Sequence, residues 1–311
     1  MPAPDYQSLI DAATWDFIRD SEASYPPDTA SLTIADQRRI YDAMCAKFHR
    51  SYPAGVVAED RAIAGVPCRV YPGPKSSETV PKVVYLHGGG YVVGGLHSHD
   101  DVCADIRAAT GLQVVAVDYR LSPEHLHPAA FEDALAVVQA LSGPLVLVGD
   151  SAGGNLAAAV SHALRGAARI LGQVLIYPGL GGDRSKGSYQ THALAPMLTL
   201  ADVKFYAGIR HGGVEVLGDA TVAPLQDTDF AGLPPTVAIA AECDPLADDA
   251  HDYATAIRAA GGRAVSFTAP GMVHGYLRAR GTVPRAAASF TEICNAISAL
   301  AQGNWPYGEI K

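Results

Sequence analysis

Cysteine, positive charge and long apolar runs are all in short supply in this chain. Five cysteines in 311 residues, an odd number with no pair at CxxC spacing, give no basis for a disulfide framework or a structural zinc site. Charged residues make up only 18%, against about 25% in an average globular protein. The 23 basic residues are outnumbered by 32 acidic ones, for a formal net charge of -9. Nucleic-acid binding is driven by Lys and Arg neutralising phosphates, so a nucleic-acid partner is not expected. No apolar stretch approaches the roughly 20 residues that cross a bilayer. The N-terminus, MPAPDYQSLIDAATWDF, lacks the basic start and apolar run of a secretory leader. A soluble cytoplasmic protein without a membrane span is expected.

What is abundant is apolar material, at 49% of residues with a mean hydropathy of +0.10. That excludes a disordered chain, and the length suits one large domain or two ordinary ones. Ile10, Ala13 and Phe17 recur at helical spacing, as do Ile40, Met44 and Phe48 after the Pro26-Pro27 break. From about Cys68 onward, short apolar runs alternate with helix-length segments. KVVYLH (82–87), LQVVAVDY (112–119), PLVLVGD (144–150), GQVLIYP (172–178), PTVAIAA (235–241) and RAVSFTA (263–269) have little polar alternation, as parallel strands buried on both faces do. Residues 128–141, 152–165 and 245–260 carry helical patterns between them. The expected class is α/β with a mostly parallel sheet. Residues 178–234 contain no clear strand, and a gap of that length inside a compact domain reads as an inserted lid or binding segment.

Gly149-Asp150-Ser151-Ala152-Gly153 fits G-x-S-x-G, with a buried strand running in and a good helix, NLAAAVSHAL, running out. A serine at such a junction sits on a strained strand-to-helix turn with its hydroxyl exposed at a helix N-terminus. The plainer role for Ser151 is a helix N-cap. His87-Gly88-Gly89-Gly90 follows another strand, and consecutive glycines let backbone N–H groups approach a developing alkoxide without side-chain obstruction. Gly88 and Gly89, with Ala152, are the expected oxyanion donors. A phosphate cradle is the alternative, but neither G-x-G-x-x-G nor a Gly-Lys-Ser/Thr ending is present.

A serine nucleophile needs a base, and eleven histidines are available. His97, His99, His125 and His127 resemble metal-ligand pairs, yet no HExxH or matching third ligand accompanies them, so loop and capping roles are expected. Catalytic groups gather beyond the carboxyl ends of parallel strands. His274 in Gly-Met-Val-His-Gly follows RAVSFTA and is the expected base, ahead of His251 within a helix. The orienting acid is expected at Asp244, before Pro245, rather than at Glu242 two residues earlier. The order Ser151, Asp244, His274 is that of the α/β hydrolases.

Four stretches, HGGGYVVGG, DYRLSPEHLHPAAFEDA, GDSAGGNLAAAV and AECDPLADD followed by GMVHGY, resemble the hormone-sensitive-lipase-like carboxylesterases of the α/β-hydrolase superfamily. The resemblance implies a serine carboxylesterase acting on short-chain esters through an acyl-enzyme, with no cofactor and no metal. It implies Ser151, Asp244 and His274 as triad, Gly88, Gly89 and Ala152 as oxyanion hole, and a helical cap. On that basis residues 1–50 are expected to be an N-terminal cap segment and 51–311 the catalytic domain, with 180–233 an inserted cap or lid. The partner expected is a small ester, and dimers occur in the family. An amidase or deacetylase would use the same constellation, and a non-catalytic ligand-binding protein of the same fold would be expected to carry a damaged triad.

Overall fold

The computed structural model describes residues 4–73, 78–214 and 216–308, so the outermost ends of the two expected divisions lie outside it. Eight strands among these residues form one sheet: β1 (Glu59–Ile63), β2 (Val66–Tyr71), β3 (Lys82–Leu86), β4 (Gln113–Val117), β5 (Leu145–Asp150), β6 (Ile170–Ile176), β7 (Thr236–Cys243) and β8 (Ala264–Val273). Their spatial order is β1-β2-β4-β3-β5-β6-β7-β8. β1 and β2 pair antiparallel at one edge, and every pairing from β4 through β8 is parallel. This is the α/β-hydrolase arrangement, and the six apolar runs supply its six parallel strands.

The runs lack polar alternation because both sheet faces are covered. Val83, Tyr85, Val146, Val148 and Val174 enter one core, and Val84, Leu86, Leu145, Leu147 and Leu175 enter the other. The ten helices described are α1 (Tyr6–Leu9), α2 (Ala12–Glu22), α3 (Ile34–Phe48), α4 (Asp100–Thr110), α5 (Ala129–Ala140), α6 (Ala152–Ala163), α7 (Gly187–Thr191), α8 (Leu200–Arg210), α9 (Ala247–Ala259) and α10 (Pro284–Ala301). Ile106 of α4 and Ile297 of α10 pack into the first core, whereas Val137 of α5, Leu156 of α6 and Ile257 of α9 pack into the second. Among the described residues no helix is long and apolar enough to cross a membrane.

β1 and β2 were not legible as strands. β1 reads Glu-Asp-Arg-Ala-Ile and is exposed along most of its length, as suits an edge that must not pair with another chain. The N-terminal helices are also more deeply embedded than a loose cover. Phe17 and Ile18 of α2 are buried in the first core, where full burial of such a side chain stabilises by about 1.5–3 kcal/mol. In 178–234 no strand forms among the described residues, and α7 and α8 lie there instead.

Candidate active site

β5 feeds directly into α6, and the turn between them holds Ser151 at φ 53, ψ -118. Ser151 donates its backbone N–H to Ile176 O at 2.9 Å, which pins this strained residue to the end of β6. The flanking glycines have separate steric reasons. A Cβ on Gly149 would stand 2.3 Å from Gly153 O, and one on Gly153 would stand 1.9 Å from Leu86 O. The turn is thus folded on itself and pressed against β3. Ser151 makes no side-chain capping hydrogen bond, so N-capping does not account for it.

Its hydroxyl is engaged elsewhere. His274 Nε2 lies 2.8 Å from Ser151 Oγ, and His274 Nδ1 lies 2.7 Å from Asp244 Oδ2. Asp244 is fully buried at the end of β7, and its other oxygen accepts the Leu246 N–H at 2.9 Å. Both carboxylate oxygens are therefore fixed, and the imidazole is held between acid and hydroxyl. The structure thus brings together Ser151, Asp244 and His274 from the ends of three strands. Glu242, at the irregular β7–β8 register, accepts the Gly271 N–H at 2.6 Å and makes no hydrogen bond to His274. His251 bonds Ser266 and Thr268 on β8 and takes no part.

The glycine loop departs from expectation at one position. The Gly88 N–H is donated to Asp150 Oδ1 at 2.9 Å and has no bond left for a ligand. The N–H groups of Gly89, Gly90 and Ala152 have no acceptor among the described residues, and all three residues border the cavity at Ser151. The open donors are therefore Gly89, Gly90 and Ala152, shifted by one residue from the Gly88–Gly89 pair. Gly88 is still required as glycine, since a Cβ there would stand 2.4 Å from Asp150 Oδ2. The sequence carries no local signal of this, because Asp150 stands at the variable position of G-x-S-x-G.

Asp150 organises the floor of the site. Besides Gly88 it accepts from Tyr85 Oη at 2.8 Å, and its Oδ2 lies 3.3 Å from both His99 Nε2 and Tyr177 Oη. Burial by itself pushes this carboxyl up, but His99 and the hydrogen bonds outweigh it and hold it below the usual carboxylate range. His87 stacks on Tyr119 with ring centroids 4.2 Å apart, and burial pushes its pKa down to about 3, so it stays neutral. The remaining histidines flagged as ligand pairs are tied up in other ways: His97 pairs with Asp42 and His127 with Asp219, while His125 donates its backbone N–H to Leu121 O.

A cavity of about 1400 Å³ opens above Ser151 and His274. It is bordered by Trp15, Tyr25, Tyr41 and Met44 from the N-terminal segment and by Leu194, Met197, Phe205 and Tyr206 from the segment around α8. Gly181 and Gly182 border it too. They are held by Asp249 of α9, whose Oδ2 accepts from Leu180 N at 2.6 Å, Gly181 N at 3.1 Å and Tyr189 Oη at 2.9 Å. Its Oδ1 has no partner among the described residues, and burial pushes the Asp249 carboxyl up to about 7.

Comparison with known proteins bears on the family. A family model for the alpha/beta hydrolase fold matches residues 83–278. Carboxylesterase NlhH of Mycobacterium tuberculosis is 36% identical over 241 residues, covering 72% of this chain and 75% of that protein. An ethyl acetate hydrolase of Pseudomonas putida is 32% identical over 229 residues, covering 68% and 72% respectively. Among solved structures, an ester hydrolase from the metagenome of Lake Arreo superposes with a TM-score of 0.84 at 29% identity, covering 94% of this chain and 99% of that one. On fold, motif order and kinship together, the chain belongs to the hormone-sensitive-lipase-like carboxylesterase family of the α/β-hydrolase superfamily.

Proposed function

We propose that the protein is a serine carboxylesterase that cleaves short-chain carboxylic esters through an acyl-enzyme. The observation that carries this is the unbroken hydrogen-bond line Ser151 Oγ, His274 Nε2, His274 Nδ1, Asp244 Oδ2, with steps of 2.8 and 2.7 Å. In this reading Ser151 Oγ attacks the ester carbonyl while His274 Nε2 takes its proton. The carbonyl oxygen becomes an alkoxide that receives hydrogen bonds from the N–H groups of Gly89, Gly90 and Ala152. Collapse expels the alcohol, which receives the proton from His274. Water then attacks the acyl-serine by the same route, His274 acting again as base and then returning the proton to Ser151. Asp244 keeps Nδ1 protonated throughout and stabilises the imidazolium without itself being protonated.

Short acyl groups are favoured by kinship with a protein named for ethyl acetate hydrolysis. The cavity walls support assigning residues 1–50 and 180–233 as the cap that selects substrate, because both segments border it. Turnover of 4-nitrophenyl esters from acetate to decanoate tests the reading: rates should be highest for short chains and fall with length. Failure to cleave any of them would leave a ligand-binding protein as the better account.

A further inference from the structure

Two arginines stand two residues apart just after His274, and the chain treats them differently. Arg280 is buried and ion-paired with Asp101 and Asp105. Arg278 borders the cavity and has no carboxylate within ion-pair distance among the described residues. Its Nε donates to Cys45 Sγ at 3.2 Å and its Nη2 donates to the Tyr41 hydroxyl. Its Nη1 donates to nothing described, and lies 3.5 Å from where a Cβ on Gly275 would sit, beside His274. Asp150, the nearby carboxylate whose charge reaches Arg278, already has four donors on its two oxygens. Arg210, also on the cavity, differs again: its donors go to the carbonyls of Thr221 and Val222 and its guanidinium lies over the Tyr91 ring. Arg278 is thus a cation in a cleft with an open N–H edge, next to a Tyr41 hydroxyl that still has its own proton to give.

We propose that Arg278 and Tyr41 form a subsite for a carboxylate carried by the substrate, so that the preferred esters are half-esters of dicarboxylic acids. This rests on the ester-hydrolase reading above. A guanidinium edge and a phenol together match the two oxygens of a carboxylate, and an alkyl group placed there would strand both donors. Leaving such donors unpaired is the penalty by which a polar site rejects an apolar analogue.

The test compares monoethyl esters of malonic through adipic acid with ethyl alkanoates of matching length, alongside neutral 4-nitrophenyl acetate. At least one half-ester should exceed its alkyl match in kcat/KM by roughly tenfold or more, since a hydrogen bond to a charged group is stronger than one between neutral partners. Arg278→Gln should collapse that ratio, chiefly through KM, and Arg278→Lys should restore part of it. Tyr41→Phe should lower it on its own, which decides the matter if Arg278→Gln does not fold. Neutral esters cleaved with no half-ester preference, or a preference that survives both Arg278→Gln and Tyr41→Phe, would overturn the subsite and leave the ester hydrolase standing. If the wild-type enzyme cleaves neither half-esters nor 4-nitrophenyl acetate, the ester-hydrolase reading fails and the subsite falls with it.

Discussion

Asp150 and Gly88 are joined across neighbouring strands by a 2.9 Å hydrogen bond, so the residue before the nucleophile holds the first glycine of the oxyanion loop. Position along β5 and position of the loop after β3 are therefore one variable. Asp150→Asn keeps the shape but turns an NH₂ toward donors that converge on the carboxylate. The expected cost is about 1–3 kcal/mol of stability. Turnover should fall by on the order of 10² because Gly89 and Gly90 shift with Gly88. Thermal melting and kcat on a short ester check both, and an unaltered kcat would sever the proposed link.

Ser151→Ala should lower ester turnover by about 10⁴ or more while leaving the melting temperature near that of the parent. Mass spectrometry after treatment with an organophosphate should place the adduct on Ser151. An adduct on another serine, or an active alanine variant, would refute the nucleophile.

Asp244→Asn and Glu242→Gln separate two carboxylates on one strand end. Asp244→Asn offers the imidazole an amide and favours the wrong tautomer, a change that costs about 10⁴ in serine proteases. Glu242→Gln weakens only the clasp on the Gly271 N–H, so it should cost stability far more than turnover. Measured losses in the opposite order would make Glu242 the acid.

Asp249 provides a pH dependence with a definite sign. Its carboxyl titrates near 7 in the folded chain and near an ordinary ~3.9 when unfolded. Between those values the folded state holds the extra proton, so this group's contribution to stability is present at low pH and is lost as pH rises through about 7. Melting of Asp249→Asn should accordingly gain on the parent as pH rises from 4 toward 7. A constant gap in melting temperature over that range would mean that Asp249 is ionised throughout.

The parallel strands, three of the core helices and the convergence of Ser151, His274 and Asp244 could be read from the sequence because each has a local cause. Buried strands must be apolar on both faces, and the glycines around Ser151 are the residues that fit a turn packed on itself. What escaped depends on contacts between distant segments. Nothing near Gly88 announces that its N–H is spent on a side chain 62 positions away. β1 hides because a protected edge is polar, which erases the apolar signal of a strand. The open edge of Arg278 is likewise visible only once Asp101 and Asp105 are seen to belong to Arg280.

The embedding of the N-terminal helices makes the border of the site a junction of distant parts of the chain. Arg285 of α10 pairs with Asp11 and donates to Leu9 O, and Arg278 reaches Tyr41 and Cys45, so the first fifty residues bind to the last forty. The same segment also reaches the middle of the chain, where Arg38 pairs with Glu124 and donates to Val92 O and Arg50 pairs with Asp105, and contacts of such long sequence separation form slowly. The turn at Ser151 is held by β6, whereas the cavity border made by Trp15, Tyr25, Tyr41 and Met44 comes from the other end of the sequence. A chain stopped short of residue 284 would carry Ser151, Asp244 and His274 but lose Arg285, and with it the partner of Asp11 and Leu9 O that clasps the first helices to the last.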